Sequence, residues 1–182
     1  MSQLKHCEYD TPGGTLSIVY DPNEQVVVAA GFFGFAPLWE RLAYDSATLA
    51  KLRVSPPDAA PPKWLAEPLA AYCAGDIAAI GKVPVRQPGP PFRQAVWQVL
   101  RKQHAPLTYG ELAALTVATM GGSPGAPAAR LARAVGSAMS HNLIALFVPC
   151  HRVVPASGGV GAYGFGPHIK AALLDFEKTA SV

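Results

Sequence analysis

The sequence predicts an α+β protein in which an N-terminal antiparallel β-sheet and a helix precede a mostly helical C-terminal half. Over residues 4–35, short apolar runs alternate with turn residues, as in strands that are joined by hairpins. From residue 92 onward, apolar side chains recur every three or four positions, which is the spacing of amphipathic helices. With 182 residues, of which 50% are hydrophobic, the chain is long enough to bury a substantial core.

The apolar runs of the first region form a predicted β-meander. Thr15 to Tyr20 alternates apolar and polar residues, and turn-forming residues stand on either side of it, at 12–14 and 21–23. Gln25 to Phe33 is a strongly apolar run that favours a further strand. From Pro37 to about Leu52, leucines recur near every 3.6 residues, which predicts a helix.

The middle of the chain is rich in proline. Residues 54–62 (VSPPDAAPP) predict a loop. A second helical stretch follows, which Pro68 either breaks or starts and which Gly75 ends. A further strand is predicted from Ile80 to Val85.

The best candidate for a domain boundary is residues 86–91 (RQPGPP). Proline and glycine cluster there, and the pattern changes from strand-like to helical after it. The sequence therefore predicts an N-terminal α/β scaffold domain at residues 1–86 and a second domain at residues 87–182.

Two short helices in the second half form a predicted helix-turn-helix-like unit. Thr108 and Glu111 have the spacing of a capping box and open the first helix. A glycine- and proline-rich connection leads to the second helix, which begins near Pro127 or Ala128. The residues on its polar face are Arg130, Arg133 and Ser137. The small residues that would let a DNA backbone come close are Ala132, Gly136 and Ser137.

A thiol and an imidazole stand side by side at Cys150 and His151. The apolar run from Leu143 to Val148 predicts a short buried strand, and a cysteine at its end would have the rigid support that a nucleophile needs. Because adjacent residues on an extended backbone point to opposite sides, we expect no direct contact between the His151 ring and the Cys150 sulfur. The alternative is a cysteine that only fills space in the core.

The last predicted helix starts at Pro167, a favoured first helical position, after a glycine-rich segment at 157–166. It carries Lys170 and Glu177. The apolar side chains that it is predicted to bury are Ile169, Ala172, Leu173 and Phe176.

Charge and cysteine content limit the classes of function. A net charge of +3 and a pI near 8.8 are compatible with a polyanionic partner but do not by themselves indicate one. Three widely spaced cysteines predict neither a disulfide framework nor a metal site. No signal peptide or membrane-spanning run is visible, so we expect no membrane partner and a reduced, cytoplasmic compartment.

Several separated motifs occur in the order found in one protein family. They are Phe92-Arg93-Gln94-Ala95-Val96-Trp97, Thr108-Tyr109-Gly110-Glu111-Leu112-Ala113, Arg133-Ala134-Val135-Gly136 and Pro149-Cys150-His151-Arg152-Val153, with Asn142, Tyr163 and Glu177 around the last. In these motifs the chain resembles the O6-alkylguanine-DNA alkyltransferases, in detail over about half its length. The N-terminal half is similar only in its β-then-helix layout and in Ala71-Tyr72-Cys73-Ala74-Gly75.

The resemblance implies DNA repair by direct reversal of damage. In this family an O6-alkylguanine is flipped out of double-stranded DNA, and its alkyl group, such as methyl, passes irreversibly to the cysteine in a single turnover. Lesser activity on O4-methylthymine is also implied. The implied fold joins a ribonuclease H-like N-terminal domain to a winged-helix C-terminal domain that binds the minor groove. A monomer without a metal or cofactor is expected.

The resemblance also assigns four catalytic positions. Cys150 is the nucleophile, and because a free thiol is mostly protonated at neutral pH, it needs a base. His151 is that base, acting through a water molecule, and Glu177 orients it. Tyr109 donates a proton to the departing guanine. The alternative for Tyr109 is an aromatic ring that packs on the core at the start of a helix.

Binding positions follow from the same resemblance. The substrate-binding set is Asn142, Val153, Tyr163, Gly164 and Lys170, and the DNA-binding set is Ala132, Arg133, Gly136, Ser137 and Ser140. Arg133 is the arginine finger that takes the place of the flipped base, with an ordinary solvated arginine as the alternative. Asn142 ties the end of the recognition helix to the active-site turn. Arg152 makes either a salt bridge or a phosphate contact.

The chain departs from the family pattern in five respects. The connection at 116–129 is longer, which affects docking on DNA. Ala145 stands where many relatives have proline, and Phe165 stands where glycine or tryptophan is common, so we expect a reshaped pocket that disfavours bulky adducts. Ser140 replaces a frequent basic residue, which predicts weaker DNA affinity. The N-terminal zinc site of some relatives cannot be assembled from these cysteines and histidines.

Three other classes of protein fit the sequence less well. A lesion sensor would bind alkylated bases without transfer, but such relatives replace the cysteine, often with tryptophan, so Cys150 argues against this class. A transcription regulator would need a dimerisation or effector element, and none is evident in the sequence. A cysteine hydrolase would need a histidine placed elsewhere in the sequence to face the thiol, and the order of the motifs does not match one.

Overall fold

The computed structural model describes residues 3–45, 54–55, 58, 60–122 and 128–180. The end of the helix predicted over 37–52, part of the loop predicted at 54–62 and part of the 116–129 connection lie outside these ranges. The elements are β1 (Lys5–Thr11), β2 (Gly14–Asp21), β3 (Val26–Gly31), α1 (Phe35–Asp45), α2 (Lys63–Cys73), α3 (Pro91–Leu100), β4 (Leu107–Thr108), α4 (Tyr109–Thr119), α5 (Ala128–Ser140), β5 (Val153–Val154) and α6 (Pro167–Ala180). None of the helices in these ranges combines the length and apolar character that crossing a bilayer requires.

The predicted β-meander is confirmed. Strands β1, β2 and β3 pair antiparallel in chain order, with Cys7 opposite Ile18 and Ser17 opposite Gly31. Every residue of β3 is buried: α1 packs against the strand, and isolated bridges to Val85 and Ile144 pair with its outer edge. The helix predicted from Pro37 begins two residues earlier, at Phe35.

Helix α2 passes through Pro68, so the prediction that this proline breaks or starts the helix is wrong. Proline lacks the amide that would close one helical hydrogen bond. Buried side chains on both sides of Pro68 compensate for this loss, since Leu65, Leu69 and Tyr72 all pack into the core.

Gly75 ends α2 as predicted. Its φ of +110° is in the region that side-chain-bearing residues rarely adopt, and its amide donates to the Tyr72 carbonyl at 2.9 Å. The Asp76 amide donates to the Ala71 carbonyl at 2.9 Å, which completes a Schellman motif. Tyr72 is thereby held close to a rigid helix end.

The strand predicted from Ile80 to Val85 is wrong. Residues Ala79–Lys82 form a 3₁₀-helix, and Val85 makes only an isolated parallel bridge with Val27. Pro84 has no amide to donate to a ladder, so the pairing cannot extend toward the N-terminus.

The buried strand predicted from Leu143 to Val148 is also wrong. The run is buried throughout, but only one of its residues forms a bridge, to Ala30 in β3. The backbone then turns at Leu146, whose φ is +69°. The Phe147 and Val148 amides donate back to the preceding residues of the run, at 2.9 and 3.0 Å. An all-apolar sequence is equally compatible with a buried strand and a buried turn.

The C-terminal helices match their predictions closely. Helix α3 begins at Pro91, α6 begins at Pro167, and α5 begins at Ala128. The capping box of α4 is complete, with both reciprocal hydrogen bonds between Thr108 and Glu111. Helices α4 and α5 pack on one another, as the helix-turn-helix-like prediction requires.

The two halves share buried apolar packing. Among the described residues, one cluster of core side chains includes members from the sheet, from α2 and from each C-terminal helix. The Ala30 amide donates to the Leu143 carbonyl at 2.8 Å, and the Ala145 amide donates to the Ala30 carbonyl at 2.9 Å. The strand β3 therefore supports the turn that leads to Cys150. The division at residue 86 and the ribonuclease H-like and winged-helix assignments stay predictions.

Candidate active site

Cys150 begins a short 3₁₀-helix, Cys150–Arg152, rather than ending an extended strand. The expectation that Cys150 and His151 lie on extended backbone is therefore wrong. The Cys150 amide donates to the Val148 carbonyl at 2.7 Å, which closes a tight turn at Pro149. The thiol is 7% exposed and faces a cavity.

The cavity has a volume of about 340 Å³, within the range of small-molecule sites. Seven residues from the predicted catalytic and binding sets line it: Tyr109, Gly136, Ser140, Asn142, Cys150, Tyr163 and Gly164. Its other lining residues are Arg41, Met139, Ala162 and Phe165. The elements that the sequence linked to DNA binding and to the nucleophile thus converge on one pocket.

Asn142 connects the end of α5 to the active-site turn. Its side-chain amide donates to the Val148 carbonyl at 2.9 Å and to the Cys150 sulfur at 3.0 Å. Its side-chain oxygen accepts from the Ile144 amide at 3.0 Å. The side chain is 1% exposed, so these bonds are shielded from competing water.

The Cys150 thiol is protonated at rest. Burial raises its pKa, and the donor from Asn142, the Tyr163 hydroxyl and the charge of Lys170 only partly oppose this effect. The Tyr163 hydroxyl lies 4.0 Å from the sulfur. Because the thiolate is the nucleophilic form, a nearby base has to take the thiol proton during any reaction.

His151, the residue after Cys150, forms a buried pair with Glu177. The His151 Nε2 lies 2.8 Å from the Glu177 Oε1, and the two side chains are 0% and 4% exposed. Burial lowers the pKa of His151 even though Glu177 acts in the opposite direction. We assign the proton to Nε2, because the carboxylate must accept it, so Nδ1 is the basic nitrogen. Nδ1 has no hydrogen-bond partner among the described residues.

Arg152 makes the salt bridge that was one of its two predicted roles. Its Nε lies 2.8 Å from the Glu177 Oε2, and its Nη2 lies 2.9 Å from Oε1. Burial disfavours the charged carboxyl, but the hydrogen bonds and charges of His151 and Arg152 outweigh it and lower the pKa of Glu177 to about 2. Glu177 is therefore an anion at any pH near neutrality.

Tyr109 and Tyr163 offer phenol groups to the cavity. Burial raises both pKa values, and the proximity of Cys150 raises them further. Both hydroxyls are therefore protonated near neutral pH and can donate. Tyr109 is the first residue of α4, so the capping box fixes its position.

Lys170 and Val153 do not line the cavity. The buried Lys170 ammonium donates to the Val153 carbonyl at 2.6 Å and to the Ala162 carbonyl at 3.3 Å. It thereby joins the backbone after the cysteine turn to the glycine-rich loop that forms one cavity wall. The role of Lys170 beside the substrate stays a prediction.

The predicted DNA-binding residues lie on α5. Arg133, Ser137 and Ser140 are exposed, while Ala132 and Gly136 are half-buried. Apart from its chain neighbours and the backbone of its own helix, no atom of the described residues lies within 4 Å of where a Gly136 side chain would begin. One side of the cavity therefore opens along the exposed face of α5.

Sequence reasoning missed two contributions from the N-terminal half. The Arg41 guanidinium donates to the Ser140 carbonyl and lies 6.0 Å from the centre of the Phe165 ring. Tyr72 donates to Glu177 at 2.9 Å. No motif marks Arg41, whereas Tyr72 lies in the one N-terminal segment that matched the family.

Phe165 forms a wall of the cavity and packs against the N-terminal half. A Cβ at Gly31 would lie 2.8 Å from the Phe165 ring, so this close approach requires glycine there. Within the described ranges, no group of three or more His, Cys, Asp or Glu side chains is arranged to hold a metal ion.

Comparisons with known proteins identify the family. Residues 91–179 match the family model described as 6-O-methylguanine DNA methyltransferase, DNA binding domain. The structure of Mycobacterium tuberculosis OGT in complex with DNA has a TM-score of 0.68 and 31% sequence identity, over 97% of this chain and 94% of that one. The chain belongs to the methylated-DNA–protein-cysteine methyltransferase family.

Two relatives with that name illustrate how far the sequence similarity extends. The methylated-DNA–protein-cysteine methyltransferase of Mycobacterium bovis is 43% identical over 112 residues, which is 61% of this chain and 62% of the relative. The protein of that name from Salmonella typhimurium is 40% identical over 118 residues, 64% and 63% of the two chains. The chain thus aligns with less than two thirds of the length of these curated relatives. The residues that match the family model, 91–179, all lie in the C-terminal half of the chain.

Proposed function

We propose that this protein repairs DNA by moving the alkyl group of an O6-alkylguanine onto Cys150 in a single, irreversible turnover. The proposal depends on one observation: Cys150 lines a cavity, and the Asn142 side chain donates to its sulfur. The next residue in the chain, His151, forms a buried pair with Glu177. The family relationship and the DNA complex of the M. tuberculosis relative support DNA as the partner.

In the proposed reaction, each of the four catalytic side chains has one role. A water molecule passes the thiol proton from Cys150 to Nδ1 of His151, and Glu177 stabilises the imidazolium that results. The sulfur attacks the alkyl carbon, the new S–C bond forms and the O6–C bond breaks. Tyr109 donates a proton to the departing guanine, which would otherwise leave as an anion. Exchange with solvent restores His151 and Tyr109, while Cys150 stays a thioether.

The proposed DNA-binding mode places α5 in the minor groove, with Arg133 filling the space of the flipped nucleotide. The exposed position of Arg133 and the open face beside Gly136 are compatible with that mode. Phe165 forms part of the cavity wall, and we propose that it disfavours bulky groups and so gives a preference for methyl. Lesser activity on O4-methylthymine is proposed from the resemblance to the family. We also propose a monomer as the working unit, as the resemblance to the family implies.

The test is intact-protein mass spectrometry after mixing with duplex DNA that contains one O6-methylguanine. We expect the wild type to gain the mass that corresponds to a methyl group replacing a hydrogen, in a yield limited by the amount of lesion. Peptide mapping should place the methyl on Cys150. Cys73→Ala, which removes a different partly exposed thiol, serves as the control and should react like the wild type.

Two outcomes would contradict the proposal. If the wild type binds the methylated duplex but gains no mass, the lesion-sensor alternative is correct. If Cys150→Ala still gains the methyl group, another residue is the acceptor.

A further inference from the structure

A buried hydrogen bond connects the N-terminal half of the molecule to the pair beside the nucleophile. Tyr72, on α2, is 0% exposed, and its hydroxyl donates to the Glu177 Oε1 at 2.9 Å. The two residues are 105 positions apart in the sequence. Tyr72 does not line the cavity, so any effect on the reaction has to pass through Glu177.

The acceptor of this bond is the same oxygen that faces His151. The Glu177 Oε1 accepts from at least three donors, namely the Tyr72 hydroxyl at 2.9 Å, the His151 Nε2 at 2.8 Å and the Arg152 Nη2 at 2.9 Å. Burial raises the pKa of Tyr72, and the charge of Glu177 and the hydrogen bond raise it further, so the phenol stays a neutral donor.

We propose that Tyr72 is a positioning residue for alkyl transfer, whose hydroxyl holds Glu177 and limits how strongly that carboxylate attracts the proton of His151. The inference rests on the proposed function, in which His151 receives the thiol proton. When one oxygen is shared among several donors, its negative charge is divided among them, and each donor is held less strongly.

The charged and titratable groups around His151 set the direction of the effect. They are Glu177 and Lys170 from α6, Cys150 and Arg152 from its own turn, Tyr163 from the glycine-rich loop and Tyr72 from α2. Of these, Glu177 favours the imidazolium, while Arg152 and Lys170 oppose it. Removing the Tyr72 hydroxyl leaves more of the carboxylate charge for His151 and therefore favours the imidazolium.

The test is Tyr72→Phe, which removes one oxygen and keeps the ring. We expect the acidic limb of the single-turnover rate against pH to move to higher pH, with the rate at the acid end falling about fivefold, which is the effect of one net hydrogen bond. The rate at high pH should change by less than about twofold, since His151 is neutral there in both proteins. Histidine NMR without DNA should show the pKa of His151 rising in parallel.

The matched control is Tyr20→Phe. Tyr20 is also a buried tyrosine that donates to a carboxylate, at 2.6 Å to the Asp58 Oδ2, but in the N-terminal sheet. Both variants should lose comparable folding stability, and only Tyr72→Phe should move the pH profile. As a second variant, 3-fluorotyrosine at position 72 is a stronger donor and should move the acidic limb and the His151 pKa in the opposite direction.

Distinct results separate the two proposals. A wild type that transfers no methyl group contradicts the proposed function, whatever the NMR titration shows. A wild type that transfers methyl, with pH profile and His151 titration unchanged in Tyr72→Phe and in the 3-fluorotyrosine protein, overturns the role of Tyr72 alone. If Tyr72→Phe does not fold, the direction of the shift in the 3-fluorotyrosine protein decides.

Discussion

Asn142 illustrates how one side chain fixes both the position and the acidity of the nucleophile. It donates to the Cys150 sulfur and to the Val148 carbonyl, and it accepts from the Ile144 amide. The donor to sulfur favours the thiolate and so opposes the effect of burial on the pKa of Cys150. The two backbone bonds hold the turn in which Leu146 has a positive φ.

We expect Asn142→Ala to raise the pKa of Cys150 and to slow alkyl transfer at neutral pH. The variant should also lose about 1–3 kcal/mol of folding stability, because the buried Ile144 amide loses its acceptor and the Val148 carbonyl loses one of its two donors. The rate of thiol alkylation by iodoacetamide against pH reports the pKa, and urea denaturation reports the stability.

Asn23→Ala is the control for this prediction, since Asn23 is an exposed asparagine in a turn of the sheet. Asn23→Ala should leave the pKa of the Cys150 thiol unchanged. An Asn142→Ala protein with the same alkylation profile as the wild type would mean that the contact between the amide and the sulfur has no effect on the thiol.

Helix α4 begins with a complete capping box. The Thr108 hydroxyl accepts from the Glu111 amide, and the Glu111 carboxylate accepts from the Thr108 amide at 2.7 Å. These bonds satisfy two amides that the helix itself leaves without partners. Tyr109 follows the cap directly, so the cap orients the proposed proton donor.

We expect Thr108→Ala to lose about 1 kcal/mol of stability and to slow alkyl transfer severalfold, because the first turn of α4 loosens around Tyr109. Thr119→Ala is matched to it, at the other end of the same helix, where the hydroxyl donates to the Leu115 carbonyl at an exposed position. It should change stability by less than about 0.5 kcal/mol and leave the rate as it is. Denaturant unfolding and single-turnover rates measure both; equal effects of the two variants would contradict the positional role of the cap.

The capping box also shows which elements can be predicted from sequence. Its bonds join residues three positions apart, so local spacing is sufficient to predict it. No local sequence pattern predicts the turn in the run from Leu143 to Val148. This turn depends on hydrogen bonds to the Asn142 side chain and to the backbone of the distant Ala30. The passage of α2 through Pro68 likewise depends on tertiary packing.

Motif residues of the candidate site could be named from the sequence, but its long-range contacts could not. Tyr109, Asn142, Cys150 and Tyr163 line one cavity, and their roles in the reaction stay predictions. Arg41 reaches Ser140 across 99 positions, and no local pattern indicates such a contact.

At the scale of the whole molecule, a buried polar cluster joins the two halves beside the active site. Glu177 on α6 accepts from Arg152 and His151 in the cysteine turn and from Tyr72 on α2. Arg152 also donates to the carbonyls of Gln103 and Ile77. Because removing any one member leaves a buried charge or dipole without compensation, the cluster couples the stability of the fold to the geometry of the site.

This cluster predicts an acid-sensitive fold. Burial lowers the pKa of His151 and of His6 from the ordinary value of 6.5, so the unfolded chain binds protons that the folded chain does not. The free energy of unfolding should therefore fall as the pH drops below about 6.5. The free energy of unfolding should fall a second time between about pH 4.5 and pH 2. In this range Glu177 is already protonated in the unfolded chain but still ionised in the folded one. The complete second fall is about 3 kcal/mol.

Urea unfolding curves at a series of pH values from 7.5 to 2 would measure both steps. Glu67→Gln is the control, because Glu67 is exposed and pairs only with Lys63 on the surface of α2 in the described contacts, so its profile should match that of the wild type. Glu177→Gln should remove the Glu177 contribution to the second step, at the cost of lower stability at neutral pH. A smaller fall should remain, because hydrogen bonds from Tyr20 and from the Thr108 amide lower the pKa values of Asp58 and Glu111. A wild-type stability that stays constant between pH 7.5 and pH 5 would mean that the buried histidines titrate as they do in the unfolded chain, and the neutral His151 on which the proposed proton transfer depends would then lose its physical basis.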